Sequence, residues 1–145
     1  MEINSNAVLK TVKEIEINAP IETVWEVHTH INEWKDWHPD ISHSDLKGKL
    51  KAGSVFEWKS GGYKLRSQIK KVEENRMIGW HGTGFGATAI HLWEFSSLSN
   101  GNTLVRTKES MDGWLVKLLK GMMRKNLNDS LETWLAALKN QSESR

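Results

Sequence analysis

Residues 112 to 140 read DGWLVKLLKGMMRKNLNDSLETWLAALKN, a stretch without proline in which apolar residues recur every three or four positions. That spacing places them on one face of an α-helix. Asp112 before Gly113 is a typical helix start, because an Asp carboxylate can accept the free backbone N–H groups of the first turn. The stretch predicts one long amphipathic helix, Asp112 to Asn140, whose apolar stripe must be covered by a sheet. The stripe consists of Trp114, Leu115, Leu118, Leu119, Met122, Met123, Leu127, Leu131, Trp134, Leu135 and Leu138.

The opposite face of this predicted helix carries a basic cluster, Lys117, Lys120, Arg124 and Lys125. Such clusters are most often solvated helix faces, and docking to an anionic surface is the alternative. The whole chain has a formal net charge of only +2, far from the strong basic footprint of a nucleic-acid-binding protein. We therefore expect no nucleic-acid partner.

Size and composition predict a single domain over residues 1–145, with loose tails at residues 1–7 and 141–145. Cysteine is absent, which excludes disulfides, thiolate metal sites and cysteine nucleophiles, and is compatible with a reducing compartment. No stretch approaches the ~18 consecutive apolar residues of a membrane span. We expect a cytoplasmic protein without stable membrane insertion.

Upstream of the predicted helix, the pattern is one strand, two short helices and six further strands. Val8 to Ile17 alternates as a strand, and Pro20 fits the first turn of a short helix. A second short helix, Ile31 to Trp37, ends before Pro39, because the residue preceding a proline is pushed away from helical angles. Gly82 to Gly86 is predicted to be a loose loop. The six strands are predicted at Ile41–Leu50, Ser54–Ser60, Tyr63–Val72, Arg76–His81, Ala87–Phe95 and Thr103–Glu109.

Short motifs accompany this order of elements. They are Ile15-x-Ile17-x-Ala19-Pro20 followed by Val24-Trp25, Trp34-x-x-Trp37-His38-Pro39, Gly53-x-x-Phe56-x-Trp58, Trp80-x-Gly82, His91-x-Trp93-x-Phe95, and Gly101-x-Thr103 before Glu109. With them the chain, from about Val8 to Lys139, resembles the polyketide cyclase/dehydratase and lipid-transport-like branch of the START/Bet v 1 (SRPBCC) superfamily. The resemblance implies an α+β helix-grip fold, in which a curved, seven-stranded antiparallel sheet wraps around a long C-terminal helix, with two short helices after the first strand. It does not fix the function, because the superfamily includes carriers, cyclases, dehydratases and regulatory proteins.

A cavity between sheet and helix is expected on physical grounds as well. A helix laid on a strongly curved sheet cannot touch both ends of it unless large side chains fill the gap. The chain has eight tryptophans, which can act as filler or as cavity wall. Polar residues on the same inward faces favour a wall, because they would be costly in a dry core. Trp34, Trp37 and His38 are expected at the mouth. The candidate ligand-binding residues are Trp37, Trp58, Tyr63, Ser67, Trp80, His91, Trp93, Thr107, Glu109 and Trp114.

His91 and Glu109 are the candidate catalytic residues. A five-residue loop between the last two strands, Leu98 to Asn102, places them directly opposite each other, with Cβ atoms roughly 4.5–5.5 Å apart. The pair could act as acid and base on an enolisable substrate. The alternative is a buried histidine that is held by a carboxylate.

Other chemistry is disfavoured. His28 and His30 do not share a helix face as metal ligands should, and Gly82 to Gly86 lacks the Lys-Ser/Thr ending of a phosphate-binding loop. We expect no metal and no cofactor. The leading function is the binding of a small hydrophobic or aromatic molecule in the cavity. The alternatives are a cyclase- or dehydratase-type enzyme that uses the same cavity, and an interaction protein with a vestigial pocket.

Overall fold

Seven strands and four α-helices make up the computed structural model, which describes residues 1–145. The strands are β1 (Leu9–Ile17), β2 (Ile41–Lys47), β3 (Val55–Ser60), β4 (Tyr63–Glu73), β5 (Met77–Gly84), β6 (Ala87–Ser97) and β7 (Thr103–Asp112). The helices are α1 (Ile21–Thr29), α2 (Trp34–Trp37), α3 (Trp114–Leu118) and α4 (Lys120–Glu143), and a 3₁₀ turn (Ile31–Glu33) precedes α2. No helix combines the length and the apolar character needed to cross a membrane.

The strands form one antiparallel sheet in the order β1-β7-β6-β5-β4-β3-β2. This is the predicted helix-grip arrangement, in which the curved sheet wraps around α4. The predicted register of the last hairpin is confirmed, with His91 opposite Glu109 and Trp93 opposite Thr107. Because side chains alternate between the faces of a strand, all four residues point toward the helices.

The buried face of α4 follows the predicted period. Its buried apolar residues are Leu127, Leu131, Trp134, Leu135, Ala137 and Leu138. They pack against the sheet and α1, so this part of the stripe forms the core. Removing such a stripe from water is the main favourable contribution to folding.

The C-terminal segment is not the single helix, Asp112 to Asn140, that the periodicity predicts. Leu119, with φ −114° and ψ 37°, breaks the helical path, so α3 is a separate short helix. Asp112 is not a helix cap. It ends β7, and its carboxylate accepts the Val8 N–H at 3.0 Å. Gly113, with φ +125°, makes the turn into α3, and a Cβ there would collide with neighbouring backbone. The break divides the apolar stripe into two parts with different surroundings.

The predicted glycine loop, Gly82 to Gly86, is largely strand. Gly82 and Gly84 belong to β5 and pair with β6, which leaves residues 85 and 86 as the turn. A Cβ at Gly82 would lie 3.0 Å from Ser67 Oγ, so the glycine makes room for a side chain of β4. The loop prediction was wrong because the backbone hydrogen bonds of the sheet outweigh the low strand preference of glycine.

Both expected tails are held by the domain. The Asn4 N–H donates to the Ser110 hydroxyl on β7 at 3.0 Å. The Met1 side chain packs over Gly79 of β5, in space that a Cβ at this residue would occupy. At the other end α4 continues past Asn140, and Ser142 is buried. Residues 141–143 are helical because the buried face of α4 extends beyond the last residue of the apolar stripe.

Candidate functional site

A cavity of about 230 Å³ lies between the inward faces of β3 to β7 and the helices α3 and α4. Of the predicted ligand-binding residues, its wall contains Trp58, Tyr63, Ser67, Trp80, His91 and Glu109. From α3, α4 and the break between them, the wall contains Leu115, Leu119, Met122, Met123, Asn126, Leu127, Ser130 and Trp134. The wall is therefore mainly apolar, with a few polar groups, which is the usual make-up of a small-molecule site.

Two predicted residues, Trp93 and Thr107, are fully buried and do not line the cavity. Their inward direction was predicted correctly. Two residues of the wall, His91 and Trp134, lie against the Trp93 ring, with centroid distances of 5.1 and 5.3 Å. These side chains separate Trp93 from the cavity.

The mouth of the cavity is not formed by Trp34, Trp37 and His38, as the sequence suggested. Trp34 and His38 are buried, and the half-buried Trp37 ring lies 6.0 Å from the ring of Trp134. These side chains extend the core because α2 lies against α4. The exposed part of the wall, which is the mouth of the cavity, consists instead of the large apolar side chains of Tyr63, Phe85, Leu119 and Met122.

Trp114, the remaining predicted residue, lies outside the cavity. Its side chain is 58% exposed, and its ring packs edge-on against Phe85 at 5.4 Å. The turn at Gly113 and the break at Leu119 give α3 an orientation that a straight helix would not have. Its neighbour Leu115 lines the cavity in its place.

Glu109, His91 and Thr107 form a series of contacts from the cavity wall into the core. Glu109 Oε1 lies 3.1 Å from His91 Nδ1, and His91 Nε2 lies 2.7 Å from Thr107 Oγ1. Burial raises the pKa of Glu109 to about 8. Burial, with a smaller contribution from His28, lowers the pKa of His91 to about 3. Although the distance would suit an ion pair, burial favours the neutral form of both groups, with the proton on Glu109.

The charge of the cavity wall depends on Glu109 alone. It is the only acidic residue of the wall, and the wall contains no Lys or Arg. The Glu109 side chain is 15% exposed. Ser67 is already bonded, because its Oγ accepts the Trp58 Nε1–H at 3.1 Å. The other polar side chains of the wall are the hydroxyl and amide groups of Ser60, Thr83, Thr88, Asn126 and Ser130.

Beyond the cavity, the gap between sheet and helices is filled by aromatic rings around His28. The rings of Trp34, Trp80, Trp93, Phe95 and Trp134 lie 4.5–6.1 Å from the His28 ring. Both ring nitrogens of His28 lack a hydrogen-bond partner, and burial lowers its pKa to about 3. His28 is thus a neutral member of the core. No group of three His, Cys, Asp or Glu side chains is arranged to hold a metal ion.

Sequence reasoning missed the helical side of the wall. Leu119, Met123, Asn126, Ser130 and Trp134 follow one another at steps of three or four, so they occupy one helix face. The periodicity assigns the apolar members to packing against the sheet, and Asn126 and Ser130 lie outside the predicted apolar stripe. Their shared face was the available signal.

Comparisons with known proteins agree with this architecture. A family model described as polyketide cyclase/dehydrase and lipid transport matches residues 8–143. A search of curated proteins found no match.

Several solved structures share the fold. A hypothetical protein from Helicobacter pylori has a TM-score of 0.85 and 16% identity, covering 95% of this chain and 90% of that chain. The Zhui aromatase/cyclase from Streptomyces sp. R1128 has a TM-score of 0.83 and 15% identity, covering 94% of each chain. A START superfamily protein from Mycobacterium smegmatis has a TM-score of 0.81 and 17% identity, covering 93% of this chain and 97% of that one. At these identities the likeness concerns the fold alone.

Proposed function

The chain belongs to the polyketide cyclase/dehydrase and lipid-transport family, and on that basis we propose that it binds a small hydrophobic or aromatic molecule in the cavity between the sheet and the helices α3 and α4. The observation that carries the proposal is the wall, in which apolar side chains surround one carboxyl group. Such a wall holds the apolar body of a ligand by burial and orients it through few polar contacts. The volume of about 230 Å³ is below the ~300–1,000 Å³ of typical ligand pockets, so the ligand is small or extends through the mouth.

The charge of the wall favours a ligand whose polar end is neutral. Because the pKa of Glu109 is raised to about 8, its carboxyl group carries a proton at neutral pH. A ligand carboxylate beside it would be desolvated without a Lys or Arg to pair with, which is costly. A hydroxyl or carbonyl group can instead form a hydrogen bond with the neutral Glu109 carboxyl group.

N-phenyl-1-naphthylamine, a neutral dye that fluoresces on burial, tests the site. We expect saturable binding by the wild-type protein. Ser130→Trp adds a large side chain to the cavity wall and should weaken binding about tenfold or more. Asp129→Trp adds the same side chain one residue earlier, at an exposed position, and should bind the dye as the wild type does. Equal dye affinities of the two variants would contradict the proposed site.

1-Octanol and octanoate test the neutral polar end, since they share a chain length and differ in charge at neutral pH. We expect octanol to displace the dye at a lower concentration than octanoate. Stronger displacement by octanoate would show that the assigned polarity is wrong, while the cavity would still be the binding site.

A specific observation also supports a second function, acid–base catalysis in the same cavity. A carboxyl group whose pKa is raised to about 8 can give or take a proton near neutral pH. His91 lies 3.1 Å from Glu109 and is itself fixed by Thr107. In a cyclase- or dehydratase-type reaction, Glu109 would move the proton of an enolisable substrate and His91 would position Glu109.

2-Nonanone, a simple enolisable ketone, provides a test. In deuterated buffer we expect the wild-type protein to speed deuterium incorporation at the carbons beside the carbonyl group, as followed by NMR. Glu109→Gln should remove this effect and retain dye binding. Exchange at the rate of buffer alone would leave ligand binding as the better-supported function.

A further inference from the structure

Large exposed apolar side chains are concentrated at one end of the molecule. Apart from Val12 on β1, all of them belong to the cavity wall or to α3 beside it. We call this set the rim, and it consists of Tyr63, Phe85, Trp114, Leu118, Leu119 and Met122. Scattered exposed apolar residues are normal, whereas a contiguous group of them marks an interaction site.

The helical part of the rim protrudes from the domain. All six residues from Lys117 to Met122 are exposed, which spans the break between α3 and α4. Leu118 is 70% exposed and lies one helical turn after Trp114, so these two side chains share a face of α3. Six consecutive exposed residues form a ridge. Such a ridge can insert into a deformable surface more readily than it can bind in a rigid groove.

Basic residues lie on this ridge and close to it in the chain. Between Asp112 and Asp129 the chain contains no carboxylate side chain. The same segment contains four exposed cations, Lys117, Lys120, Arg124 and Lys125. Of these, Lys125 is paired with Asp129, at 2.7 Å. The rim therefore combines protruding apolar side chains with a local positive charge.

We propose that the rim and its neighbouring cations dock on an anionic phospholipid surface. Binding at a membrane interface requires apolar side chains that enter the headgroup region and cations that attract anionic lipid. Both are present in one segment of this chain. An acidic protein would account for the cations but not for the protruding Leu118 and Trp114. Docking in this orientation turns the mouth of the cavity toward the lipid.

Co-sedimentation of the full chain with vesicles tests the proposal. We expect binding to vesicles of equal parts phosphatidylglycerol and phosphatidylcholine, and at least about tenfold weaker binding to pure phosphatidylcholine. Binding should weaken as the salt concentration rises, because salt screens the exposed cations. Absence of binding to the mixed vesicles, or equal binding to both kinds, would overturn the proposal.

Variants distinguish the membrane from other occupants. Leu118→Asp should weaken vesicle binding about tenfold or more, whereas Val12→Asp, at the exposed apolar position on β1, should leave it unchanged. Lys117→Glu combined with Lys120→Glu should also reduce it. If only the charge variant lost binding, the contact would be purely electrostatic, as expected for an acidic protein surface, and apolar docking would be wrong. Self-association that Leu118→Asp abolishes, without vesicle binding, would assign the rim to a second copy of the chain.

Discussion

The space between the sheet and the C-terminal helices is filled at one end and hollow at the other. At the filled end, His28 and Trp34 extend from α1 and α2 into the gap and meet the rings of Trp93 and Trp134. At the hollow end, α3 and the start of α4 cover the sheet alone, and Glu109 faces the cavity. The cavity lies where no side chain of α1 or α2 reaches.

The two ends also bury titratable groups with opposite effects. His28 belongs to the filled end, where burial lowers its pKa to about 3. Glu109 belongs to the hollow end, where burial raises its pKa to about 8. In both places the surroundings favour the neutral form. We therefore expect His28 to make the filled end less stable as pH falls below about 6.5, and Glu109 to make the hollow end less stable as pH rises from about 4.5 to about 8. His91, whose pKa burial also lowers to about 3, adds sensitivity to acid at the hollow end.

The largest effect is expected for Leu131→Asp. Leu131 is fully buried, so an aspartate there would place an unpaired charge in the core and cost more than about 4 kcal/mol of unfolding free energy. Leu118→Asp makes the same change on exposed α3 and should shift the free energy by no more than about 0.5 kcal/mol. Urea denaturation measures both. Similar losses would mean that α3 is as firmly packed as α4.

Trp34→Ala should be the next most damaging change. Trp34 is fully buried, and its Nε1–H donates to the His28 carbonyl oxygen at 2.7 Å. Its removal should cost ~3–5 kcal/mol. Trp114→Ala, in the exposed rim, is the matched control and should cost at most about 1 kcal/mol. If the control lost as much as Trp34→Ala, the rim would have to be counted as part of the core.

Glu109→Gln should change how stability depends on pH. The pKa of Glu109 is raised from 4.5 to about 8 in the folded protein, so the folded state binds the proton more tightly than the unfolded state. The wild type therefore loses unfolding free energy as pH rises from about 4.5 to about 8, on the order of a few kcal/mol. The Gln variant lacks this loss. Denaturation curves from pH 5 to 9 should show its relative stability increasing with pH, and a constant difference would contradict the raised pKa.

His28→Phe should have the smallest effect on stability. Its pH dependence should be opposite to that of Glu109→Gln. The pKa of His28 is lowered from 6.5 to about 3, so the unfolded state binds the proton more tightly and the wild type loses stability as pH falls below 6.5. Phenylalanine fits among the aromatic rings and cannot be protonated. The difference in unfolding free energy between the variant and the wild type should shift in favour of the variant by at most about 2 kcal/mol between pH 7 and pH 5. The absence of any gain would indicate that His28 has a solvated or hydrogen-bonded nitrogen.

Local patterns were enough to predict most of the fold. The alternation in β6 and β7, together with the length of the loop between them, determined that His91 faces Glu109, because side-chain direction along a strand has a period of two. The buried positions of α4 from Leu127 to Leu138 followed from the helical period in the same way. These features depend on residues that are close in the chain or related by one hairpin.

Tertiary structure decided which of the inward-facing residues meet the cavity. The sequence gives the same inward direction to Trp80 and Trp93, yet Trp80 lines the cavity and Trp93 is covered by other side chains. The position of α3 likewise depends on the turn at Gly113, which packs against the distant β5–β6 turn. Periodicity defines a direction for each side chain, but whether that direction leads to a neighbour, a cavity or solvent depends on volumes supplied by segments far apart in the chain.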